Sequence, residues 1–231
     1  MADHHDIYQE QAEKYELLIS REDFRKNILP CLQEKLSLDG LDVVELGAGT
    51  GRLTTLLCPL VKSIYAFDGS QAMLDVAGSK LAKSPWTNWK LEVGDHRMLT
   101  ASDASADLVI SGWSICYIVV DHPDTWQEDL EKVFLEIKRI LKPHGKIILL
   151  ETLGTGFEQP MTPAHLEDYY RYLESYGFTR SWFRTDYLFK DINEARFLAG
   201  FFFGEEIVEK MVSTTQGVLL PECTGIWYLS F

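Results

Sequence analysis

Val43-Val44-Glu45-Leu46-Gly47-Ala48-Gly49-Thr50-Gly51-Arg52 is the stretch from which the rest of this 231-residue chain is read. The apolar run from Leu41 to Leu46 reads as a buried strand, and three alternate glycines follow it. Leu53, Leu56, Leu57, Leu60 and Val61 then recur at i, i+3, i+4, i+7 and i+8, the spacing of an amphipathic helix. Strand, glycine loop and helix in that order bring a ligand against backbone N–H groups at the carboxyl end of a parallel sheet. The glycines permit positive φ and clear side chains from the ligand's path. A dinucleotide site shows G-x-G-x-x-G, its helix aimed at a pyrophosphate. Here the pattern is E-x-G-x-G-x-G. Glu45 at the strand end suits a cation and would repel a pyrophosphate. Taken alone, the stretch also fits a tight turn in an ordinary α/β protein.

Composition narrows the partners. A hydrophobic fraction of 46% with six tryptophans predicts one folded domain over residues 1–231. The net charge of −13, with no Lys/Arg cluster, sets the surface against nucleic acid. Cys31, Cys58, Cys116 and Cys223 are far apart and form no C-x-x-C pair, so they read as free thiols in a reducing compartment. No metal site is expected. The polar start Met-Ala-Asp-His-His-Asp is unlike a signal peptide, and no apolar run has the length of a membrane span. A soluble, cytoplasmic protein with no membrane partner is the expectation.

Before the first strand, residues 7–38 read as two helices, with Tyr8, Ala12, Tyr15 and Ile19 at helical spacing. Ser20 and Asp23 read as a capping box, and Pro30 as a kink or restart. These helices are either plain packing or a lid (residues 1–38) that turns Tyr8 or Tyr15 inward. Ser63 to Asp68 is a second strand ending in an acid. Asp68 lies 23 positions after Glu45, about the distance at which nucleotide-binding βαβ units place a ribose-binding carboxylate. Gly69-Ser70 opens a helix to about Lys83, with Met73 in its first turn. Trp89 to Val93 is a third strand, ending in Gly94-Asp95-His96, and Ala106 to Trp113 is the fourth. Trp126, Leu130, Val133, Phe134, Ile137 and Leu141 then mark a strong amphipathic helix. It stops at Leu141-Lys142-Pro143-His144-Gly145, before a fifth strand, Ile147 to Leu150. Thr162-Pro163 reads as a helix start, Phe178 to Phe189 as one extended strand, Glu194 to Val212 as helical, and Gly225 to Phe231 as a closing strand.

Across residues 41–152 these features resemble the class I S-adenosylmethionine (SAM) dependent methyltransferases, in the branch of small-molecule and ubiquinone/menaquinone-type enzymes. The resemblance rests on the ordered set: the acid and alternate glycines, Asp68, Asp95, the fourth strand and the Lys-Pro turn. Where the family usually shows L-K-P-G-G, this chain has His144 in place of one glycine. The resemblance implies an α/β, Rossmann-like, doubly wound seven-stranded sheet, mostly parallel with an antiparallel edge hairpin. It places a SAM-binding core at 41–152 and a helical insertion, residues 190–217, before the last strand. It also implies SAM as cofactor, with S-adenosylhomocysteine as product. Gly47, Ala48 and Gly49 would hold the methionine portion, and Glu45 would fix the loop or the ammonium group. Asp68 with Gly69 would take the ribose. Met73, Asp95 and the backbone of His96 would take the adenine, Tyr15 would come from the lid, and Ser111 with Trp113 would border the transfer site. Ser111-Gly112-Trp113-Ser114 lacks the prolines of base-amino methyltransferases, and Cys116 lacks the preceding proline of cytosine-carbon enzymes.

Methyl transfer from a sulfonium is an in-line displacement, so alignment in a dry site supplies much of the catalysis. A general base is needed only where the acceptor must lose a proton. By chain order His122 is the candidate base and Tyr117 a group to orient an acceptor; a lone His before Pro also fits an ordinary loop. The expected reaction is methyl transfer to an O or N atom of a small molecule. Two other readings stand beside it: a non-catalytic SAM-binding adaptor or sensor, and an NAD(P)-dependent oxidoreductase, which the glycine spacing disfavours.

Overall fold

A computed structural model describes residues 4–231, with side chains from Ile7 onward. Three short helices, α1 (His4–Glu10), α2 (Ala12–Ile19) and α3 (Ile28–Lys35), precede strand β1 (Asp42–Leu46). Then follow α4 (Arg52–Leu57), β2 (Ser63–Asp68), α5 (Gln71–Leu81), β3 (Trp89–Val93) and β4 (Ala106–Gly112). Next come α6 (Tyr117–Asp121), α7 (Trp126–Ile140), the long β5 (Leu141–Thr155) and α8 (Glu167–Tyr176). The remaining strands are β6 (Thr179–Arg184), β7 (Tyr187–Phe189), β8 (Val212–Thr214), β9 (Gly217–Leu220) and β10 (Glu222–Ser230).

Seven strands form the main sheet in the order β3-β2-β1-β4-β5-β10-β6. The first five run parallel, and β10 is antiparallel to both β5 and β6. The central strands are apolar on both faces because helices cover both. Val44, Val109, Ile147 and Leu149 pack with Leu130, Val133, Phe134 and Ile137 of α7 and with Leu173 of α8. Their neighbours Val43, Leu108, Ile110 and Ile148 point the other way, onto Ile28 and Leu32 of α3 and Leu53 and Leu57 of α4. Lys142 ties the amino ends of the sheet together, its Nζ lying 2.8 Å from both Asp42 and Asp107.

Three local expectations are corrected. Ser20 does not cap a helix start; it ends α2, and its hydroxyl donates to the Leu17 carbonyl at 2.7 Å. Asp23 alone does the capping, accepting from Asn27 N at 2.7 Å and Ile28 N at 3.1 Å to start α3. Pro30 is then the third residue of α3, where its missing N–H removes no helical bond. The Thr162-Pro163 start is displaced as well, since a single 3-10 turn (Ala164–Leu166) comes before α8.

Phe178 to Phe189 is two strands in two sheets. Asp186 makes the corner: buried, it accepts from Arg184 Nε at 2.6 Å and from Glu222 N at 3.0 Å. Beyond it β7 joins β9 and β8 in a three-stranded antiparallel sheet. Part of the stretch expected to be helical is therefore strand. Short helical turns fill Ile192–Lys210, interrupted at Gly204, and β8 and β9 occupy the rest. This small sheet has its own core, which Leu18 of α2 joins beside Tyr187, Phe189, Leu198 and Leu220.

His144 adopts φ +66° in the Lys-Pro turn. That left-handed conformation is disfavoured for a residue with a Cβ and natural for glycine. His144→Gly should therefore stabilise the fold by about 0.5–1 kcal/mol. A higher urea midpoint at unchanged slope is the expected result; a lower midpoint would show that the imidazole makes a contact worth more than the backbone strain.

Candidate functional site

The strand order reverses between β1 and β4, and a cavity of about 520 Å³ opens at the carboxyl ends of these strands. Gly47, Gly49 and Gly51 have φ values of +70°, +53° and +79°. Glycine is required at Gly47 for space as well: a Cβ there would lie 2.0 Å from Ser114 Oγ. Ser114 is held in place by His96, whose Nε2 is 2.9 Å from its hydroxyl.

Asp68 ends β2 and accepts from two backbone amides, Gly49 N at 2.7 Å and Ser70 N at 2.8 Å. Burial raises its carboxyl above the ordinary value, and these two amide bonds oppose that rise. A carboxylate has about four lone-pair sites, so each Asp68 oxygen keeps acceptor capacity toward the cavity. Ser70 caps α5, accepting from Met73 N, while its own hydroxyl donates to the carbonyl of Tyr8 at 2.8 Å. Asp95 is engaged by the fork of Arg97, with contacts of 2.6–3.2 Å, which holds it below the usual carboxylate range. Burial pushes His96 down to about 4, so its ring is neutral at pH 7, and its buried Nδ1 has no partner.

From the other side, Tyr8 of α1 reaches Tyr117 of α6, hydroxyl to hydroxyl at 2.6 Å, and Tyr15 packs edge-on against Tyr8. Burial raises the Tyr117 phenol well above its ordinary value, so it enters the cavity as a neutral hydroxyl. His122 also lines the cavity, and its Nδ1 lies 2.6 Å from Asp129 Oδ2. Asp129, an acceptor held well below the usual carboxylate range, fixes Nδ1 as the donor of this pair.

Of the residues singled out in the sequence, Tyr15, Gly47, Gly49, Asp68, Gly69, Met73, Asp95, His96, Trp113, Tyr117 and His122 line this one cavity. Glu45 and Ala48 line a smaller neighbouring cavity instead. Glu45 is buried, accepts from Thr54 Oγ1 of α4 at 2.6 Å, and is pushed up to about 8 by burial; it is neutral at pH 7 and braces the helix after the loop. Ser111 is fully buried with its hydroxyl unpartnered and lines neither cavity. Sequence reasoning missed Ser114, Arg97 and Arg52. Arg52 carried a signal, since it follows the last loop glycine directly and opens α4. Among the described residues no helix is long and apolar enough to cross a membrane.

Comparison with known proteins accords with this geometry. A family described as "Methyltransferase domain" matches residues 44–149. The demethylmenaquinone methyltransferase of Shouchella clausii (strain KSM-K16) is 30% identical over 179 residues, 74% of this chain and 69% of that protein. This chain belongs to the class I SAM-dependent methyltransferases. A second relative of the same name, from Lactobacillus johnsonii, is 31% identical over 171 residues, 70% of this chain and 63% of its own length. The fold is shared with a SAM-dependent methyltransferase from Aquifex aeolicus at a TM-score of 0.55 and 16% identity, covering 86% of this chain and 87% of that one. SAM is the methyltransferase's cofactor, and the residues present fit it: Asp68 has acceptor capacity for vicinal hydroxyls, and His96 Nδ1 and Arg52 Nη2 are buried without partners.

Asp68→Ala should weaken S-adenosylhomocysteine binding by about 1.5–3 kcal/mol through loss of charge-assisted bonds. Calorimetric titration of the folded variant checks this; unchanged affinity would remove Asp68 from the ribose site.

Proposed function

We propose that this methyltransferase transfers the methyl group to an O or N atom of a small molecule, with His122 as general base where the acceptor must lose a proton. The observation that carries this reading is that His122, held by Asp129 behind it, lines the same cavity as Asp68 and the glycine loop. SAM supplies a methyl already activated on a sulfonium, so the protein's tasks are to orient, to exclude water and to accept a proton.

In this reading Asp68 and Gly69 take the ribose, while Met73, Asp95 and the His96 backbone take the adenine. Gly47, Ala48 and Gly49 take the methionine portion. Glu45 acts by bracing the loop and Ser111 by backing the strand end, while Trp113 borders the transfer site. Arg97 holds Asp95 ionised and in place. Tyr117, a neutral hydroxyl beside Ile118, orients the acceptor by a hydrogen bond. Asp129, buried and bonded also to Lys132, holds the imidazole of His122 and stabilises it when it takes a proton.

The chain acts as a single domain, with the N-terminal segment 1–38 as a lid over the cofactor core and the 190–217 insertion beside it. Residues 1–3 of that segment lie outside the described part. The lid reading is supported by Ser70 and Tyr117, which grip Tyr8 from both sides, and by the Glu16–Lys80 pair at 2.7 Å between α2 and α5. A closed lid would keep water from the sulfonium and the nucleophile. The acidic surface and scattered thiols support a cytoplasmic enzyme that does not act on nucleic acid or membranes.

Parallel calorimetric titrations with S-adenosylhomocysteine and NADH test the cofactor assignment; one-to-one binding of the first alone is expected, and binding of NADH alone would overturn the reading. An acceptor panel that includes demethylmenaquinone, the compound named for the relatives, then tests the acceptor class. With a proton-bearing acceptor, His122→Gln should lower kcat by about 100-fold or more, leaving S-adenosylhomocysteine affinity within about twofold. An unchanged kcat would assign His122 to the loop alone.

A further inference from the structure

A second cavity, of about 50 Å³, lies between α2, the glycine loop and the start of α4. Tyr15, Gly47, Gly49, Gly112 and Trp113 border both it and the main cavity, so the two adjoin across the loop. Its lining includes Glu22 and Arg52, paired at 2.7 Å. The pair is held from several directions. Glu22 Oε2 also accepts from the Tyr187 hydroxyl at 2.8 Å, and the Arg52 guanidinium lies 4.3 Å from the centre of the Trp113 ring. Each partner nevertheless keeps one buried atom without a hydrogen bond, Glu22 Oε1 and Arg52 Nη2, and Thr50 Oγ1 in the same lining is likewise unmet.

Unmet buried polar atoms are costly, and more so on charged groups. These particular atoms specify what would satisfy them. One is an anionic acceptor, one a cationic donor, and the pair is neutral as a whole. A simple anion or cation would bring net charge into a buried site. An α-amino acid would not, because its ammonium and carboxylate flank a single carbon and match a bonded Glu–Arg pair charge for charge. Glu45, neutral at pH 7, adds no competing charge.

We propose that Arg52 and Glu22 clamp the zwitterionic amino-acid end of SAM, with Arg52 Nη2 and the Thr50 hydroxyl donating to its carboxylate and Glu22 Oε1 accepting from its ammonium. The inference rests on the reading that the main cavity takes the adenosine. It adds a coupling: Glu22 follows α2, so the amino-acid end of the cofactor ties the N-terminal segment to the glycine loop.

The test compares two probes, S-adenosylhomocysteine and 5′-methylthioadenosine, which keeps the adenosine and sulfur but lacks the amino acid. The unsubstituted protein should prefer the first by at least tenfold. Arg52→Gln should weaken S-adenosylhomocysteine at least tenfold while 5′-methylthioadenosine changes less than twofold, with Glu22→Gln shifting the same ratio in the same direction. Should Arg52→Gln not fold, Glu22→Gln, which keeps an acceptor for Arg52 and Tyr187, carries the comparison. Equal weakening of both probes, or no weakening of either, overturns the clamp while the cofactor assignment stands. Failure of the unsubstituted protein to bind either probe overturns the cofactor assignment and the clamp with it.

Discussion

The two backbone amides that converge on Asp68 are the constraint on which the site depends. Gly49 N belongs to the loop after β1, and Ser70 N to the start of α5 after β2; a single carboxylate fixes both. Gly49 reaches that position only because its φ is positive, a conformation that a residue with a Cβ adopts at a cost. The same bonds keep Asp68 aimed at the strand ends and set Ser70 to cap α5 and to hold Tyr8. One local geometry thus positions the loop, the helix start and the N-terminal segment together.

That segment would not hold its shape alone. Helices α1 and α2 are seven and eight residues long, below the length at which an isolated helix is stable in water. Their order comes from packing at two places. Tyr8 and Tyr15 lie against the cofactor core, while Leu18 enters the core of the small sheet. Backbone bonds stitch the turn after α2 to the same region: Asp23 N to Thr185 O, and Leu188 N to Arg21 O. The insertion is helical from Ile192 to Lys210, and its turns, together with β7 and β9, form the core that Leu18 of α2 enters.

The parts legible in the sequence were those where periodicity and spacing carry physical consequences. β1, β2, β3 and α7 fall where apolar runs and a helical stripe put them, because burial on one or both faces leaves no other pattern open to them. Asp68 and Asp95 were legible because a strand end has a fixed place at the mouth of a parallel sheet. The closing strand was legible too, but the corner after β6 and the small sheet beyond it were not. The alternation of β6 runs unbroken into β7, and the bend between them is made by Asp186 finding Arg184 and the Glu222 amide, a long-range event with no local signature. Ser114 was hidden for the same reason, since its importance lies in meeting Gly47 and His96 from a distant loop.

The chain carries −13 at pH 7, yet several of its acids lie inside, and their environments differ in a way that bears on the chemistry. Burial pushes Glu45 up to about 8, Glu151 to about 7 and Glu222 to about 8, each with only a few hydrogen bonds opposing the rise. At neutral pH Glu45 and Glu222 are mainly protonated and add little negative potential to the core. Asp95 and Glu22 are different, because each is bonded to an arginine that compensates its charge. A sulfonium loses its charge as the methyl leaves, so unpaired carboxylates around it would stabilise the ground state more than the transition state and slow the transfer. Holding Glu45 mainly protonated, and Asp95 and Glu22 paired with arginines, lets the protein use these carboxyl groups for positioning without that penalty.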